Sequence, residues 1–199
     1  TDNSYEILEE YAKKDNRFIL LKNEKNIGSG PSRNVGIKNA NGETLTFVDS
    51  DDYIFENYLK NFYTTYEKYH TDIVSNLNSY RNENNEEKYV WYNIKNFLSK
   101  DELENPNLYM EGLSNVNLKT MKYGTKEFII SSTVNKLYKT KFLIDNDLFF
   151  MNIGSGGDDE DFFNRVMLNN PTTSYNHGGA YCSRKRECSL MHNAVTSLE

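Results

Sequence analysis

Apolar residues along this chain alternate between helical and strand spacing, and the switches between the two mark its elements. Tyr5, Leu8, Tyr11 and Ala12 recur at helical spacing, predicting a helix over 5–14 with Asn3 or Ser4 as its cap. The apolar run Phe18-Ile19-Leu20-Leu21 predicts a short buried strand within 17–21. Residues 23–31 hold Gly28, Gly30 and Pro31 and read as a loop that feeds a helix over 32–40, closed by Asn41-Gly42. A strand over 44–48 then runs without a turn into Asp49-Ser50-Asp51-Asp52. Tyr58, Leu59, Phe62, Tyr66 and Tyr69 give a helix over 57–69 with an aromatic core face.

The second half is less regular. Residues 72–77 read as a strand, the polar Asn/Glu run over 81–88 as a turn or exposed loop, and 88–92 as a strand pairing back. Residues 93–125, interrupted by Pro106, are the least legible part. A β-rich stretch over 128–138 precedes a helical pattern over 139–146. Residues 154–157 read as a glycine-rich loop, after which Asp158-Asp159-Glu160-Asp161 opens an amphipathic helix ending near Leu168.

The acidic strand end is the centre of this arrangement. Open α/β sheets place ligand chemistry beyond the carboxyl ends of their strands, so Asp49, Asp51 and Asp52 face a crevice. Two carboxylates about 4 Å apart repel by roughly 4 kcal/mol at an effective dielectric near 20, which a cation offsets. Oxygen-only ligands point to Mg²⁺ or Mn²⁺ with a phosphate completing the shell. Taken alone, Asp52 would serve equally well as the cap of the following helix. A calcium loop is excluded by Tyr53 and Ile54, which stand where that loop needs Asp or Asn and then Gly.

One helix upstream, Asn26-Ile27-Gly28-Ser29-Gly30-Pro31-Ser32-Arg33-Asn34-Val35-Gly36 combines glycines, a helix N-terminus and an arginine, a set suited to phosphate. This segment, N-x-G-x-x-x-x-R-N-x-G, followed by A-x-G-E-x-x-x-F-x-D-S-D-D, resembles the nucleotide-sugar half of family 2 glycosyltransferases with the GT-A fold. N-K-L-Y-K-T-K-F-L-I-D-N-D-L-F-F before the second acidic run, Glu160-Asp161-Phe162-Phe163, and the closing segment with Tyr181, Arg184, Ser189 and His192 resemble the same family in the same order.

The resemblance implies an α/β fold, the three-layer α/β/α GT-A sandwich, as one domain over 1–197. Residues 1–92 would form the nucleotide-sugar half and 93–197 the acceptor half, with Leu198-Glu199 read as a purification-tag remnant. The opening T-D-N-S-Y resembles the end of a family motif that follows the second strand. The first strand, its helix and the second strand would then lie outside this chain, leaving it N-terminally truncated. The resemblance further implies Asp161 as general base with Glu160 beside it, and a divalent cation, Mn²⁺ or Mg²⁺, at Asp51 with Asp49 and His192. Asn26, Gly28, Arg33, Asn34, Asp49 and Arg184 would contact the nucleotide-sugar, with uridine favoured as its base. An inverting transfer to a glycan or lipid-linked acceptor in surface polysaccharide synthesis follows as the expected activity.

Composition narrows the alternatives. The 199 residues suit one domain, and a net charge of −6 with one short basic run, Arg184-Lys185-Arg186, argues against a nucleic-acid partner. No apolar stretch approaches membrane-spanning length, and a peripheral association with a membrane-bound acceptor remains compatible. Cys182 and Cys188 lack zinc or disulfide-framework spacing and read as reduced thiols of a cytoplasmic protein, at the inner face of the membrane if it is membrane-associated. Two other readings stand beside the transferase: a nucleotidyltransferase, and a non-catalytic folded fragment that binds glycan or a partner. Oligomeric state is not readable from these patterns.

Overall fold

The computed structural model describes residues 2–76, 79–83, 86–89, 107–110, 132–153, 157–176 and 178–184. Five helices are described: α1 (Ser4–Lys14), α2 (Ser29–Asn39), α3 (Tyr58–Tyr69), α4 (Thr140–Asp145) and α5 (Asp158–Leu168). The strands are β1 (Thr44–Thr46), β2 (Tyr53–Ile54), β3 (Ile73–Asn76), β4 (Ser79–Glu83), β5 (Glu86–Tyr89), β6 (Asn107–Met110), β7 (Lys136–Lys139), β8 (Thr173–Asn176) and β9 (Tyr181–Arg184).

The central sheet has the order β1-β7-β3-β8-β6. β3 and β8 are parallel, while β7 runs antiparallel to both β1 and β3, so β1, β3 and β8 all point the same way. At that carboxyl end a second sheet forms, of order β2-β9-β4-β5. Each of the three codirectional strands continues into it: β1 leads to β2, β3 to β4 and β8 to β9. Because β7 is reversed, its first residue, Lys136, also lies at this end.

Alternation along the strands builds a core on each face of the central sheet. Ile73 and Tyr138 pack with Ile37 of α2, Leu143 of α4, and Phe162 and Val166 of α5, while Val74 and Leu137 pack with Tyr58, Phe62 and Tyr66 of α3. Helices therefore cover both faces, giving the three α/β/α layers expected. The first core centres on Phe150, whose ring stacks on Phe162 at 4.0 Å between centroids, with Phe47 edge-on to both.

Several local expectations are corrected. Residues 17–21 form no strand: Phe18, Ile19 and Leu21 are exposed, and α1 before them buries none of its residues. The polar run over 81–88 is not a loop, because β4 and β5 pair antiparallel through it, Tyr80 with Tyr89 to Glu83 with Glu86. The pairing-back strand accordingly begins at Glu86, before the expected Lys88. Asp52 does not cap α3, since β2 intervenes and Asn57 holds the cap position. Helix α2 begins at Ser29, three residues earlier than expected, with Gly30 and Pro31 in its first turn, where unpaired N–H groups are normal.

Candidate functional site

The loop after β1 and the start of α5 meet at the carboxyl end of the central sheet, and Arg33 joins them. From the first turns of α2 its guanidinium donates to Asp49 Oδ1 at 2.6 Å and to Asp159 Oδ1 at 2.5 Å. Both bonds are charge-assisted and the arginine side chain is only 16% exposed. Burial opposes the charge on Arg33, yet the carboxylates of Asp159 and Asp49 hold its pKa above the ordinary value. The same guanidinium lies 5.3 Å from the Phe150 ring centroid.

Helix α2 can carry Arg33 there because it packs closely on α5. At Gly30 a Cβ would fall 2.8 Å from Asp158 Oδ2 and 3.0 Å from Phe150 Cβ, so a glycine is what this approach requires. Asn34 completes the tie by donating to the Phe150 carbonyl at 2.8 Å and accepting from its N–H at 2.7 Å. Its side-chain amide is thus engaged on both sides by backbone. Asn26 Oδ1 accepts the N–H of Gly28, whose φ of 89° suits glycine, and shapes the turn entering α2. A groove of about 540 Å³ borders this turn, lined by Lys25, Asn26, Ile27, Gly28, Pro31 and Asn152.

Asp52 anchors the acidic loop to β9. Its carboxylate accepts from the Tyr181 hydroxyl at 2.6 Å and the Arg184 N–H at 3.0 Å, while the Asp49 N–H donates to that hydroxyl at 3.1 Å. The Arg184 side chain donates through Nε to the Asp51 carbonyl. Burial raises the Asp52 pKa above its usual value against the pull of the Tyr181 and Arg184 bonds, with the charges of Asp51 and Asp49 adding to the rise. Tyr181 ties two carboxylate residues at once; its chemistry would have been hard to recognise from spacing, because Asp52 lies 129 positions away.

On α5, Asp161 accepts from Arg165 Nε at 2.9 Å and Nη2 at 2.7 Å, both on Oδ2, and Arg165 also donates to the Phe149 carbonyl at 2.6 Å. The pair orients the carboxylate through Oδ2, and among the described residues no hydrogen bond is made to Oδ1. Glu160 is exposed beside it. Asp159, not singled out within the acidic run, is the residue of α5 that meets Arg33. His192 lies outside the described residues.

Among the described residues no three His, Cys, Asp or Glu side chains converge as a metal cage. Asp49, which gives Oδ1 to Arg33 and is 38% exposed, and Asp51 two positions on nevertheless place hard oxygen donors in the loop after β1. Mg²⁺ commonly binds through one or two carboxylates, completing its shell with water and phosphate, so this donor set fits such an ion.

This α/β/α sandwich is the GT-A fold of glycosyltransferases, shared with the solved structures given below. The chain belongs to glycosyltransferase family 2, whose profile matches residues 1–130. It is 30% identical over 193 residues to the glycosyltransferase GlyA of Streptococcus pneumoniae, an alignment covering 96% of this chain and 26% of GlyA. It is 28% identical over 200 residues to the poly(ribitol-phosphate) beta-N-acetylglucosaminyltransferase TarS of Staphylococcus aureus, covering 100% of this chain and 31% of that protein. The chain therefore spans about a third or less of these relatives. The crystal structure of TarS 1-349 in complex with UDP-GlcNAc superposes with a TM-score of 0.71 at 28% identity, over 96% of this chain and 48% of that one. GalNAc-T7, at 14% identity, shares the fold with a TM-score of 0.59 over 94% of this chain and 36% of that one.

Proposed function

We propose that this chain is the donor-binding and catalytic part of an inverting, divalent-cation-dependent glycosyltransferase using a UDP-sugar, with UDP-N-acetylglucosamine the first donor to try. The observation that carries this reading is Arg33 held between Asp49 and Asp159, a partly buried cation spanning both acidic segments in the helix whose N-terminus lies at Ser29. A diphosphate entering there would meet the guanidinium and the N–H groups of Ser29 and Gly30 at the start of α2, since Pro31 has no N–H and that of Ser32 bonds the Gly28 carbonyl. The likeness to TarS, solved with UDP-GlcNAc, supports the choice of nucleotide.

Asp51 and Asp49, with His192 from the closing segment, would hold Mn²⁺ or Mg²⁺, which when bound neutralises charge on the departing diphosphate. Asp161 takes the proton of the acceptor hydroxyl through Oδ1, while Arg165 fixes its other oxygen. The acceptor oxygen bonds the anomeric carbon as the bond from that carbon to the phosphate oxygen breaks, and UDP leaves with the electron pair. Glu160, exposed beside Asp161, would contact acceptor or donor sugar, and Arg184, anchored to the Asp51 carbonyl, would close over the diphosphate. The acceptor we propose is a glycan or lipid-linked glycan of the cell surface, glycosylated on the cytoplasmic side of the membrane.

Thermal unfolding with UDP, GDP, dTDP and ADP, each with and without Mn²⁺, tests the donor class. At 100 times its dissociation constant a ligand adds about 2.7 kcal/mol, a shift of roughly 5–10 °C for a chain this size. Protection by UDP above the other three supports the reading; equal protection by all, or by none, refutes the uridine assignment.

A further inference from the structure

Lys136 is a charged side chain placed inside the core. It is 2% exposed, opens β7 at the carboxyl end of the central sheet, and pairs in register with Ser75 of β3. Its backbone carbonyl accepts from Thr46 Oγ1 at 2.6 Å, which sets it at the level where β1 gives way to the acidic loop. The side chain lies on the same sheet face as Tyr138, two residues on, and so beneath α5. Nζ sits 5.1 Å from the Phe163 ring centroid and donates to the Ser132 carbonyl at 2.5 Å.

Asp159 and Phe163 are four residues apart on α5 and so share one face of that helix. Side chains lean toward a helix's N-terminus, and a lysine under Phe163 is therefore beneath the turn that carries Asp159. Among the described residues the charge that acts on Lys136 is that of Asp159; from β3 it faces Ser75, from β7 Tyr138, and from residue 132 a carbonyl. Beyond Asp159 come Arg33 and Asp49. Lys136, Asp159, Arg33 and Asp49 thus form a series of alternating charge from the protein interior to the acidic loop.

We propose that Lys136 is a positioning residue of the donor site: its buried ammonium counter-charges Asp159 from below, so that Arg33 is not wholly held by carboxylates and can turn to a diphosphate. The inference rests on the UDP-sugar reading given above. Burial lowers the Lys136 pKa from its usual 10.5 to about 7 while Asp159 opposes the fall, so the charge is partly present at neutral pH. Without it, Asp159 relies on Arg33 alone, and the crevice loses one positive charge; both changes weaken diphosphate binding.

Calorimetric titration of UDP into the wild-type chain, Arg33→Ala, Lys136→Met and Lys136→Arg, with Mn²⁺ fixed and folding checked by circular dichroism, tests this. Lys136→Met is expected to weaken UDP about tenfold, the effect of one charge acting at intermediate dielectric, and Lys136→Arg to restore most of the loss. Wild-type affinity should fall between pH 6.5 and 8 while that of Lys136→Arg stays level. Wild-type affinity for UDP with a loss only in Arg33→Ala, and none in Lys136→Met, overturns the role of Lys136 and spares the donor site. No binding of UDP to the wild type overturns both. Should neither lysine variant fold, a level wild-type pH profile overturns the proposal and a falling one upholds it.

Discussion

Gly30→Ala and Gly36→Ala place the same methyl group on the same helix, and the structure assigns them opposite signs. At position 30 the added carbon would lie 2.8 Å from Asp158 Oδ2 and 3.0 Å from Phe150 Cβ. Neither neighbour yields easily. Asp158 is buried and its other oxygen accepts the Ile153 N–H at 3.2 Å; Phe150 is fixed by its stack on Phe162 and by two bonds from Asn34 to its backbone. Overpacking of this kind costs about 1–3 kcal/mol, from which some tenths are recovered by the better helix propensity of alanine in a first turn. A net loss of about 1–2 kcal/mol lowers Tm by roughly 2–8 °C in a chain of this size. Position 36 is exposed, and among the described residues outside its own helix backbone and chain neighbours no atom lies within 4 Å of the new carbon, so alanine there should add about 0.5–1 kcal/mol through lower unfolded-state entropy. Scanning calorimetry on the three proteins decides. A Gly30→Ala chain as stable as the wild type, or the two variants shifting in the same direction, would refute the close packing of α2 on α5 that sets Arg33 in place.

Tyr181→Phe removes the hydroxyl shared by the Asp49 N–H and the Asp52 carboxylate. It should cost about 1–3 kcal/mol in urea unfolding and weaken UDP with Mn²⁺, and unchanged binding would show that the acidic loop needs no anchor on β9. Asp161→Asn should lower transfer by about 10²–10⁴-fold, read as UDP release in the presence of acceptor, while UDP binding stays near wild type. Retained turnover would remove Asp161 as the base. The folded-state pKa of Lys136 is about 7, below its unfolded 10.5, so the unfolded chain holds a proton that the folded one has released. Its contribution to stability therefore rises with pH from about 7 toward 10. The difference in unfolding free energy between wild type and Lys136→Met, measured at pH 6.5 and pH 9, should shift in favour of the wild type at the higher pH; a constant difference contradicts the burial of a titrating lysine.

The helices that frame the site were legible because their apolar positions repeat every three or four residues: α3 follows from Tyr58, Phe62 and Tyr66, and α5 from Phe162, Val166 and the acids before them. The strand carrying the acidic loop was legible from β-branched residues meeting carboxylates. Phe18-Ile19-Leu20-Leu21 misled because a short apolar run reads alike whether or not another strand lies beside it. Glu83 and Glu86 misled in the other direction: β4 and β5 form through backbone pairing, with β9 as the neighbour of β4, and polar side chains do not announce it. At the site, residue types were readable but partners were not. Arg33 meets Asp159 across 126 positions, and Asn34 meets Phe150 across 116. Spacing along the chain shows neither the bonds of the Asn34 amide to the Phe150 backbone nor those of Asp52, offered by the sequence as a cap, to Tyr181 and Arg184 of β9.

The proposed activity turns on whether the acidic loop and Arg33 together receive a nucleotide diphosphate with a divalent cation. Titration of UDP into the wild-type chain and Asp51→Asn, each with Mn²⁺ and with EDTA, puts that to the most direct test. The expected result is binding by the wild type that weakens at least tenfold in EDTA, and binding by Asp51→Asn that is weak and indifferent to Mn²⁺. Equal affinity in all four titrations, or none in any, would contradict it.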